Sequence, residues 1–250
     1  MTTLQEAILQ TPSLVSFWDF QEEDNFHTAQ GPFPYVLEAM SGPIKRVEDG
    51  VLGAGAVELA YGQWFRLPRS ECPALDFHGS DAKLTLIAWI KRNPSDNPQC
   101  EAIAGMWNES EKKRQYAMFL NLRIWDSQDQ VCGHVSAEGG PTPGYPWCMS
   151  TAIGATPVAK DEWHTIAFTY DGSHAKVYLD GLLDEREQYN PYFYDQGLYD
   201  GGSSGADFTV GAVHRSGEMG NFYAGLLGGL AVFQTALPAE QIRKFSLNVR

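Results

Sequence analysis

The chain has 250 residues, 43% of them apolar, a length and composition that suit one domain with a single core over residues 1–250. The formal net charge of -13 repels phosphate backbones and anionic lipid surfaces, so nucleic acid is excluded as a general partner. An anionic polysaccharide stays open, because a local arginine cluster dominates within about 8 Å at physiological salt. No run of 18 apolar residues exists, so no membrane span is predicted.

The N-terminal residues predict a short helix over about 3–10. Thr3 and Glu6 have the spacing of a capping box, and Pro12 ends the pattern. This start lacks the basic stretch and apolar run of a secretion signal. The sequence as written therefore predicts a cytoplasmic protein, or a secreted or periplasmic one if a leader has been removed.

A strand is predicted over Tyr116–Trp125, where apolar residues occupy every even position and should face the core. The odd positions alternate aromatic and polar side chains, a combination suited to stacking on a sugar ring and binding its hydroxyl groups. The predicted outward residues are Phe119, Asn121, Arg123 and Trp125.

The next predicted strand, residues 131–136, places His134 outward over the same groove if the two strands are neighbours. Cys132 lies on this strand, and Cys148 follows a loop rich in glycine and proline. These two cysteines flank the loop and could form a disulfide in an oxidising compartment; free buried thiols are the alternative.

Two of the predicted loops are longer than is needed to connect the strands on either side of them. Residues 138–147 carry three prolines, three glycines and two aromatic residues, and the loop is predicted to present Tyr145 and Trp147 beside the groove. Residues 189–200 contain five aromatic residues, and Tyr194 is predicted to line the groove as well.

Glu162–Gly181 predicts a β-hairpin. The segment 175–180 alternates apolar and polar side chains, the period of a strand with one buried face. Asp171-Gly172 separates the two strands and Asp180-Gly181 ends the second, and both pairs tolerate the positive φ of tight turns.

Another cluster of chemistry-bearing residues follows the short strand Phe208–Ala212. His214, Arg215 and Glu218 bring a base, a cation and a carboxylate to a strand end. Such clusters suit proton transfer, although surface ion pairs show the same pattern.

The hairpin pattern W-H-x-x-A-F-T-Y-D-G and V-Y-L-D-G resembles that of the laminin-G-like, concanavalin A-like jelly-roll domains. Leu14–Phe20 resembles the opening strand of that family, Leu84–Ile90 its F-T-x-x-A-W-V strand, and Tyr223–Ile242 its closing strand and helix. The resemblance implies an all-β jelly-roll sandwich of two antiparallel sheets, with short N- and C-terminal helices. It also implies a carbohydrate partner, but many functions share this fold.

Enzymes of this fold suggest an alternative. The E-x-D-x-x-E pair of its retaining glycosidases is absent here. Asn121-Leu122-Arg123, Cys132-Gly133-His134 and Tyr192-Phe193 follow the order of residue types in alginate-lyase-like enzymes, although the motif spacings depart from that family. His134, His214, Arg123 and Tyr145 are the candidate catalytic residues for this alternative.

Many related modules also carry an acidic pair in the closing strand, near which calcium binds. This chain has Gly228-Gly229 at that place. The loss of two carboxylates removes much of the attraction for calcium, so no metal ligand or cofactor is predicted. A structural calcium near Asp19 is the lesser alternative.

The sequence therefore predicts recognition of an oligosaccharide or polysaccharide in a groove on the outer face of one sheet. A lyase or hydrolase acting on an acidic oligosaccharide and a non-catalytic protein-interaction module remain alternatives. The predicted groove residues are Phe119, Asn121, Arg123, Trp125 and His134, lined by Tyr145, Trp147, Tyr194, His214, Arg215 and Glu218.

Overall fold

The computed structural model describes residues 2–94, 97 and 99–247. Two stacked antiparallel sheets form the domain, and one short α-helix lies near each end of the chain. The helices are α1 (Leu4–Leu9) and α2 (Ala239–Lys244). The strands are β1 (Leu14–Trp18), β2 (Glu38–Met40), β3 (Lys45–Val47), β4 (Ala56–Leu59), β5 (Trp64–Leu67), β6 (Leu84–Arg92), β7 (Glu101–Asn108), β8 (Lys113–Leu120), β9 (Val131–Val135), β10 (Thr151–Ile153), β11 (Trp163–Tyr170), β12 (His174–Leu179), β13 (Leu182–Leu183), β14 (Tyr192–Phe193), β15 (Phe208–Val210), β16 (Val213–Arg215), β17 (Glu218–Gly220) and β18 (Gly225–Phe233).

The first sheet has the spatial order β13-β12-β11-β6-β18-β4-β3, with β1 beside β18 and β14 beside β12. The second sheet has the order β10-β9-β8-β7-β15-β5-β2. Strand β16 forms a hairpin with β17 and also pairs with β7. Neighbouring strands in these orders pair antiparallel and many are distant in sequence, as in a jelly roll. The predicted all-β sandwich is confirmed.

The predicted hairpin is formed by β11 and β12. The Oδ1 atom of Asp171 accepts hydrogen bonds from the backbone N–H groups of Ser173 and His174, which fixes the turn. After β12, Asp180 and Gly181 have φ of 49° and 81°, so this Asp-Gly pair forms the two-residue turn into β13. Both turns lie where the sequence placed them.

The core lies between the sheets and includes Tyr116, Met118 and Leu120 of β8, whose side chains alternate toward the first sheet. Packing is close enough that Gly133 is required: a Cβ atom there would lie 2.2 Å from the ring of Phe168. Complete burial of a large apolar side chain contributes about 1.5–3 kcal/mol, so this interior dominates the stability of the fold.

The outer faces of the two sheets differ. Phe17, Trp89 and Phe233 extend from the first sheet and are covered by α1 and α2. The indole Nε1 of Trp89 donates to the backbone oxygen of Phe245 at 3.1 Å, which ties the C-terminal segment down. The outer face of the second sheet carries a smaller apolar cluster around Trp107 and leaves a cavity above it.

The N-terminal capping box is confirmed. The hydroxyl of Thr3 accepts from the N–H of Glu6 at 3.2 Å, and the Glu6 carboxylate accepts from the N–H of Thr3 at 2.7 Å. Helix α1 covers Leu4–Leu9, one residue shorter at each end than the prediction of 3–10.

The predicted strand over Tyr116–Trp125 is wrong beyond Leu120. Asn121, Arg123 and Trp125 have φ of 59°, 57° and 50°, values that a β-strand cannot accommodate. The N–H of Asn121 still donates to the backbone oxygen of Gln130 at 3.2 Å, and the chain leaves the sheet after this bond. The buried Asn121 side chain holds the chain against a neighbouring loop, because its Nδ2 donates to the backbone oxygens of Asn97 and Gln99 at 3.1 and 3.0 Å.

Candidate functional site

A cavity of about 350 Å³ opens on the outer face of the second sheet, and we call it the Trp147 cavity. Strands β7, β8 and β9 supply its floor, and loops at the ends of these strands supply its walls. Its lining residues are Gln99, Cys100, Trp107, Glu109, Phe119, Leu122, Arg123, Ile124, His134, Trp147, Cys148, Met149, Arg215 and Asn221.

Three rings from neighbouring strands form the floor. His134 lies edge-on to Phe119, with ring centroids 5.2 Å apart, and its centroid is 5.3 Å from that of Trp107. Trp107 and Phe119 also meet edge to face at 6.0 Å. The alternation of side chains along β8 and β9 brings these rings to one face, as predicted for Phe119 and His134.

His134 is buried, however, rather than free on the surface. Burial and, to a smaller extent, the nearby Arg114 cation together lower the pKa of its imidazole from 6.5 to about 3. Its Nδ1 atom is buried without a hydrogen-bond partner among the described residues. The general-base interpretation required a histidine that titrates near neutrality. A His134 that stays neutral throughout the physiological range does not meet this requirement.

Arg123 extends from the loop after β8 and is exposed. Its Nε donates to Oδ1 of Asn121 at 2.9 Å and its Nη2 donates to the backbone oxygen of Asn97 at 2.9 Å. Asn121 itself is 1% exposed and does not line the cavity. Its predicted role as a direct ligand contact is therefore corrected: Asn121 holds Arg123 in place.

Arg215 lies across the cavity on β16. Its Nη1 donates to Oδ1 of Asn221 at 2.6 Å. The aliphatic part of the side chain rests on Gly220, where an added Cβ would lie 3.0 Å from its Cγ and Cδ atoms. The glycine thus leaves the space that Arg215 occupies.

Trp147 stands at the mouth of the cavity and is 52% exposed. It belongs to the strap, residues 138–149. The N–H of Thr142 donates to the backbone oxygen of Trp147 at 2.9 Å, and the N–H of Met149 donates to the Thr142 hydroxyl at 2.8 Å. These bonds close the strap on itself, so the indole is presented from a fixed loop, as the sequence predicted.

The remaining predicted residues do not line this cavity. Trp125 stacks on Tyr189 at 5.3 Å, because the loop after β8 turns its ring aside. Tyr145 is 50% exposed on the strap. Tyr194 is buried against the core, where its hydroxyl accepts from the N–H of Ala137, and it borders a separate cavity of about 210 Å³.

His214, Arg215 and Glu218, which were predicted as one cluster, do not all face the Trp147 cavity. Side chains alternate along β16, so Arg215 shares the outer face with Val213 while His214 points away from the cavity. Glu218 stands opposite Arg215 in the β16–β17 hairpin and is exposed. Only the arginine of this cluster reaches the Trp147 cavity.

The cysteines are free, so the predicted alternative of a Cys132–Cys148 disulfide is not present. The Cys132 thiol donates to the backbone oxygen of Gln130, whereas the Cys148 thiol donates to that of Val135. These acceptors are five residues apart along β9, at roughly 3.3 Å per residue, which separates the two sulfurs. Burial raises the pKa of both thiols.

The residues proposed for calcium do not fit that ion. Asp19 is buried, and its carboxylate already accepts from Nε2 of Gln30 at 2.6 Å. Burial raises its pKa. A Cβ at Gly228 would lie 2.9 Å from Val51, and one at Gly229 would lie 2.6 Å from Leu52, so a side chain at either place would have to displace these two residues. Within the described ranges, no group of three or more His, Cys, Asp or Glu residues is placed to hold a metal.

A larger cavity of about 540 Å³, the Lys91 cavity, has a different character. Lys91 reaches Asp49 at 3.2 Å and Asp161 at 3.8 Å. Arg92 is 2% exposed and bonds both Glu101 and Asp129, at 3.0 and 2.6 Å from its Nη2. The basic groups of this cavity are therefore committed to protein carboxylates.

Sequence reasoning missed several residues of the Trp147 cavity, chiefly Trp107, Glu109 and Asn221. The Trp107 indole donates to Oε1 of Glu109 at 3.2 Å, so both belong to one wall. The segment Glu101–Asn108 contains the apolar run that could have indicated a strand. A register shift between Ala102 and Ala104 in its pairing with β8 decides which of its later side chains face outward, and such a shift leaves no sequence signal.

Comparison with known proteins agrees with the observed architecture. Residues 63–243 match the family model described as the concanavalin A-like lectin/glucanases superfamily. A search of curated protein sequences gives no match. No helix among the described residues is long and apolar enough to span a membrane.

Solved structures share the fold at low sequence identity. Domain 4 of an extracellular arabinanase from Geobacillus stearothermophilus, in complex with arabinotriose, has a TM-score of 0.61 and 18% identity, covering 93% of this chain and 98% of that one. The CBM40 of the Ruminococcus gnavus IT-sialidase bound to α2,3-sialyllactose has a TM-score of 0.53 and 14% identity, covering 76% and 96%. The botulinum neurotoxin serotype G binding domain has a TM-score of 0.60 and 8% identity, covering 92% of this chain and 50% of that one.

Proposed function

Because the chain belongs to the concanavalin A-like lectin/glucanases superfamily, we propose that it binds carbohydrate and that the Trp147 cavity is its binding site. The observation that carries the proposal is the half-exposed Trp147 indole held beside two arginines over an aromatic floor. Sugar rings present apolar C–H faces and polar edges, so they suit a site that offers one aromatic surface and several hydrogen-bond donors.

The fixed geometry of the site favours binding. The strap closes on itself through Thr142, and Arg123 and Arg215 are each held by an asparagine. Groups already ordered in the free protein lose less conformational entropy on binding, which matters for polar ligands that pay a high desolvation cost. Two of the structurally similar proteins are in complex with arabinotriose and with α2,3-sialyllactose, which supports a carbohydrate as the ligand class.

Proton-transfer chemistry has less support in this cavity. Its histidine has a pKa of about 3, because it is buried and lies near Arg114. Its described lining includes no tyrosine. Efficient general acid–base catalysis needs a group whose pKa lies near the working pH. Binding without turnover is therefore the function we propose.

The test is a glycan array followed by calorimetric titration of the best ligand. Trp147→Ala should weaken binding about tenfold or more, as expected for an aromatic anchor worth above 1 kcal/mol. Tyr61→Ala is the matched control, because Tyr61 is 60% exposed but lines the Lys91 cavity. Loss of affinity in the control but not in Trp147→Ala would place the site elsewhere, and absence of binding to any glycan would refute the proposal.

A further inference from the structure

Arg123 and Arg215 face the same cavity from the loop after β8 and from β16, and each keeps part of its guanidinium unused. Nη1 of Arg215 is engaged by Asn221, while its Nε and Nη2 have no protein partner among the described residues. Nε and Nη2 of Arg123 are engaged, and its Nη1 has no such partner. The parallel Nε–H and Nη2–H groups of Arg215 form the fork that binds a carboxylate through two hydrogen bonds.

The two arginines are held by one shared arrangement. Asn121 and Asn221 both adopt left-handed backbone conformations, with φ of 59° and 53°, and both are almost fully buried. Each presents its Oδ1 to one arginine. Both also contact Gln99: Nδ2 of Asn121 donates to the Gln99 backbone oxygen at 3.0 Å, and the N–H of Asn221 donates to Gln99 Oε1 at 3.3 Å. Gln99 therefore links the two supports.

The charge around the cavity favours an anion despite the acidity of the whole chain. Among the described lining residues, Arg123 and Arg215 stand with a single carboxylate, that of Glu109. Glu109 already accepts from the Trp107 indole and lies 3.9 Å from Nη2 of Arg114. With His134 neutral, this described part of the lining carries two cations against one anion, so it is positive on a protein of net charge -13.

We infer that the Trp147 cavity selects a sugar that bears a carboxylate, with the carboxylate between Arg123 and Arg215 and the ring against Trp147. This inference rests on the proposed function, since it assigns the ligand class of the same site. Both oxygens of a carboxylate can accept from the free fork of Arg215, one from Nε–H and one from Nη2–H. Asn121 and Asn221 are positioning residues in this arrangement. Uronic acids and nine-carbon keto acids such as sialic acid are two classes of sugar that carry a carboxylate.

The experiment is calorimetric titration of the full chain with two acids and their methyl esters. The probes are α2,3-sialyllactose and trigalacturonic acid, which distinguish the two sources of the carboxylate. At least one acid should bind about tenfold or more tightly than its ester, because esterification removes the charge but keeps the ring. This comparison needs no variant and so does not depend on the folding of one.

Variants then locate the effect. Arg123→Met and Arg215→Met should each weaken binding of the preferred acid about tenfold or more and leave its ester almost unchanged. Arg243→Met removes the same charge from an exposed position on α2 and should bind the acid like wild type. Melting temperatures of all three variants should match that of wild type, because the substituted side chains are not buried.

Three results would overturn the inference. Two esters that each bind as tightly as their acids, a preferred acid whose binding ignores both arginine variants, or a preference for a sulfated glycan over both acids would each exclude a carboxylate site. If Trp147→Ala still abolished binding of a neutral glycan in those cases, the proposed function would stand without this ligand class. If no glycan bound at all, the proposed function itself would fail.

Discussion

Two cavities of this molecule contain basic side chains, and they use them differently. In the Lys91 cavity, of about 540 Å³, Arg92 is buried and bonded to two carboxylates and to the backbone oxygen of Val158. In the smaller Trp147 cavity, of about 350 Å³, Arg123 and Arg215 are supported by neutral asparagines and keep N–H groups directed away from protein acceptors. The two cavities therefore differ in the availability of their cations as well as in volume.

The difference shows that the partner of an arginine decides whether its charge remains available to a ligand. A carboxylate partner cancels the charge of an arginine and occupies its donors, so the pair contributes to the fold. An amide oxygen fixes the direction of the guanidinium but leaves its charge. Asn121 and Asn221 thus keep their arginines both ordered and positive, which is the state that an anion-binding site requires.

The largest expected effect on stability comes from removing Arg92, whose charge is neutralised by Glu101 and Asp129. Arg92→Met should destabilise the fold by about 3–5 kcal/mol, because it leaves the buried Glu101 carboxylate without its cation. Lys91→Met is the matched control in the same cavity. Its partner Asp49 is half exposed, so its loss should cost less than about 1 kcal/mol. Urea unfolding of both variants measures the difference, and equal costs would contradict the account of Arg92 as a buried cation neutralised by protein carboxylates.

The second prediction concerns pH and the floor of the Trp147 cavity. The pKa of His134 is about 3 in the folded protein, below the value of about 6.5 in the unfolded chain. Between these values the unfolded state binds a proton that the native state does not, so His134 costs no stability above pH 6.5 and lowers stability as the pH falls. The slope for one such group is about 1.4 kcal/mol per pH unit.

His134→Phe removes this titration while keeping a ring against Trp107 and Phe119. Relative to the wild type, the variant should therefore gain stability as the pH is lowered from 6.5 toward 4. Denaturant unfolding at several pH values gives both curves under the same conditions. Parallel curves would show that His134 is accessible and titrates normally in the folded protein.

A smaller effect is expected at the supports of the arginines. Asn121→Gly keeps the positive φ but removes the amide, which should cost about 1–3 kcal/mol through the loss of two buried hydrogen bonds. Asn121→Ala should cost about 1 kcal/mol more, because alanine disfavours this conformation. Unfolding measurements on both variants separate the two contributions. If alanine were no worse than glycine, backbone strain would play no part there.

The smallest effects are expected where sequence reasoning placed site residues and the structure does not. Glu218→Gln and Tyr145→Ala alter exposed side chains that do not line the Trp147 cavity. Each should change the free energy of unfolding by less than about 0.5 kcal/mol and leave glycan affinity at the wild-type value. A tenfold loss of affinity in either variant would extend the site beyond the cavity.

The fold could be predicted because its signals are local. Alternation in β12 and the Asp-Gly turns at 171–172 and 180–181 each constrain a few residues, and the structure follows them. The residues of the candidate site were predicted in part: five of the predicted groove residues line the Trp147 cavity, namely Phe119, Arg123, His134, Trp147 and Arg215. Side chains alternate along β16, so Arg215 faces the cavity and His214 faces away from it. The sequence alone could have indicated that these two neighbours point in opposite directions.

The remainder depends on departures from regular strands. Strict alternation along β7 would put Ala102 and Trp107 on opposite faces, but both join the outer cluster because the register shift between Ala102 and Ala104 leaves one extra residue on β7 and reverses the alternation once. The chain leaves the sheet after Asn121, whose side chain bonds a loop about twenty residues earlier in the chain. Neither the shift nor the distant acceptor is visible in the local pattern of residues.

The measurement that tests the central claim most directly is a two-dimensional NMR titration with α2,3-sialyllactose and with trigalacturonic acid, following side-chain N–H signals. With whichever acid binds, the indole signals of Trp107 and Trp147 and the Nε signals of Arg123 and Arg215 should shift together and saturate. The backbone signals of Tyr61 and Lys91 should stay in place. Saturable shifts at Tyr61 and Lys91, with the Trp147 cavity unaffected, would contradict the assignment of the site.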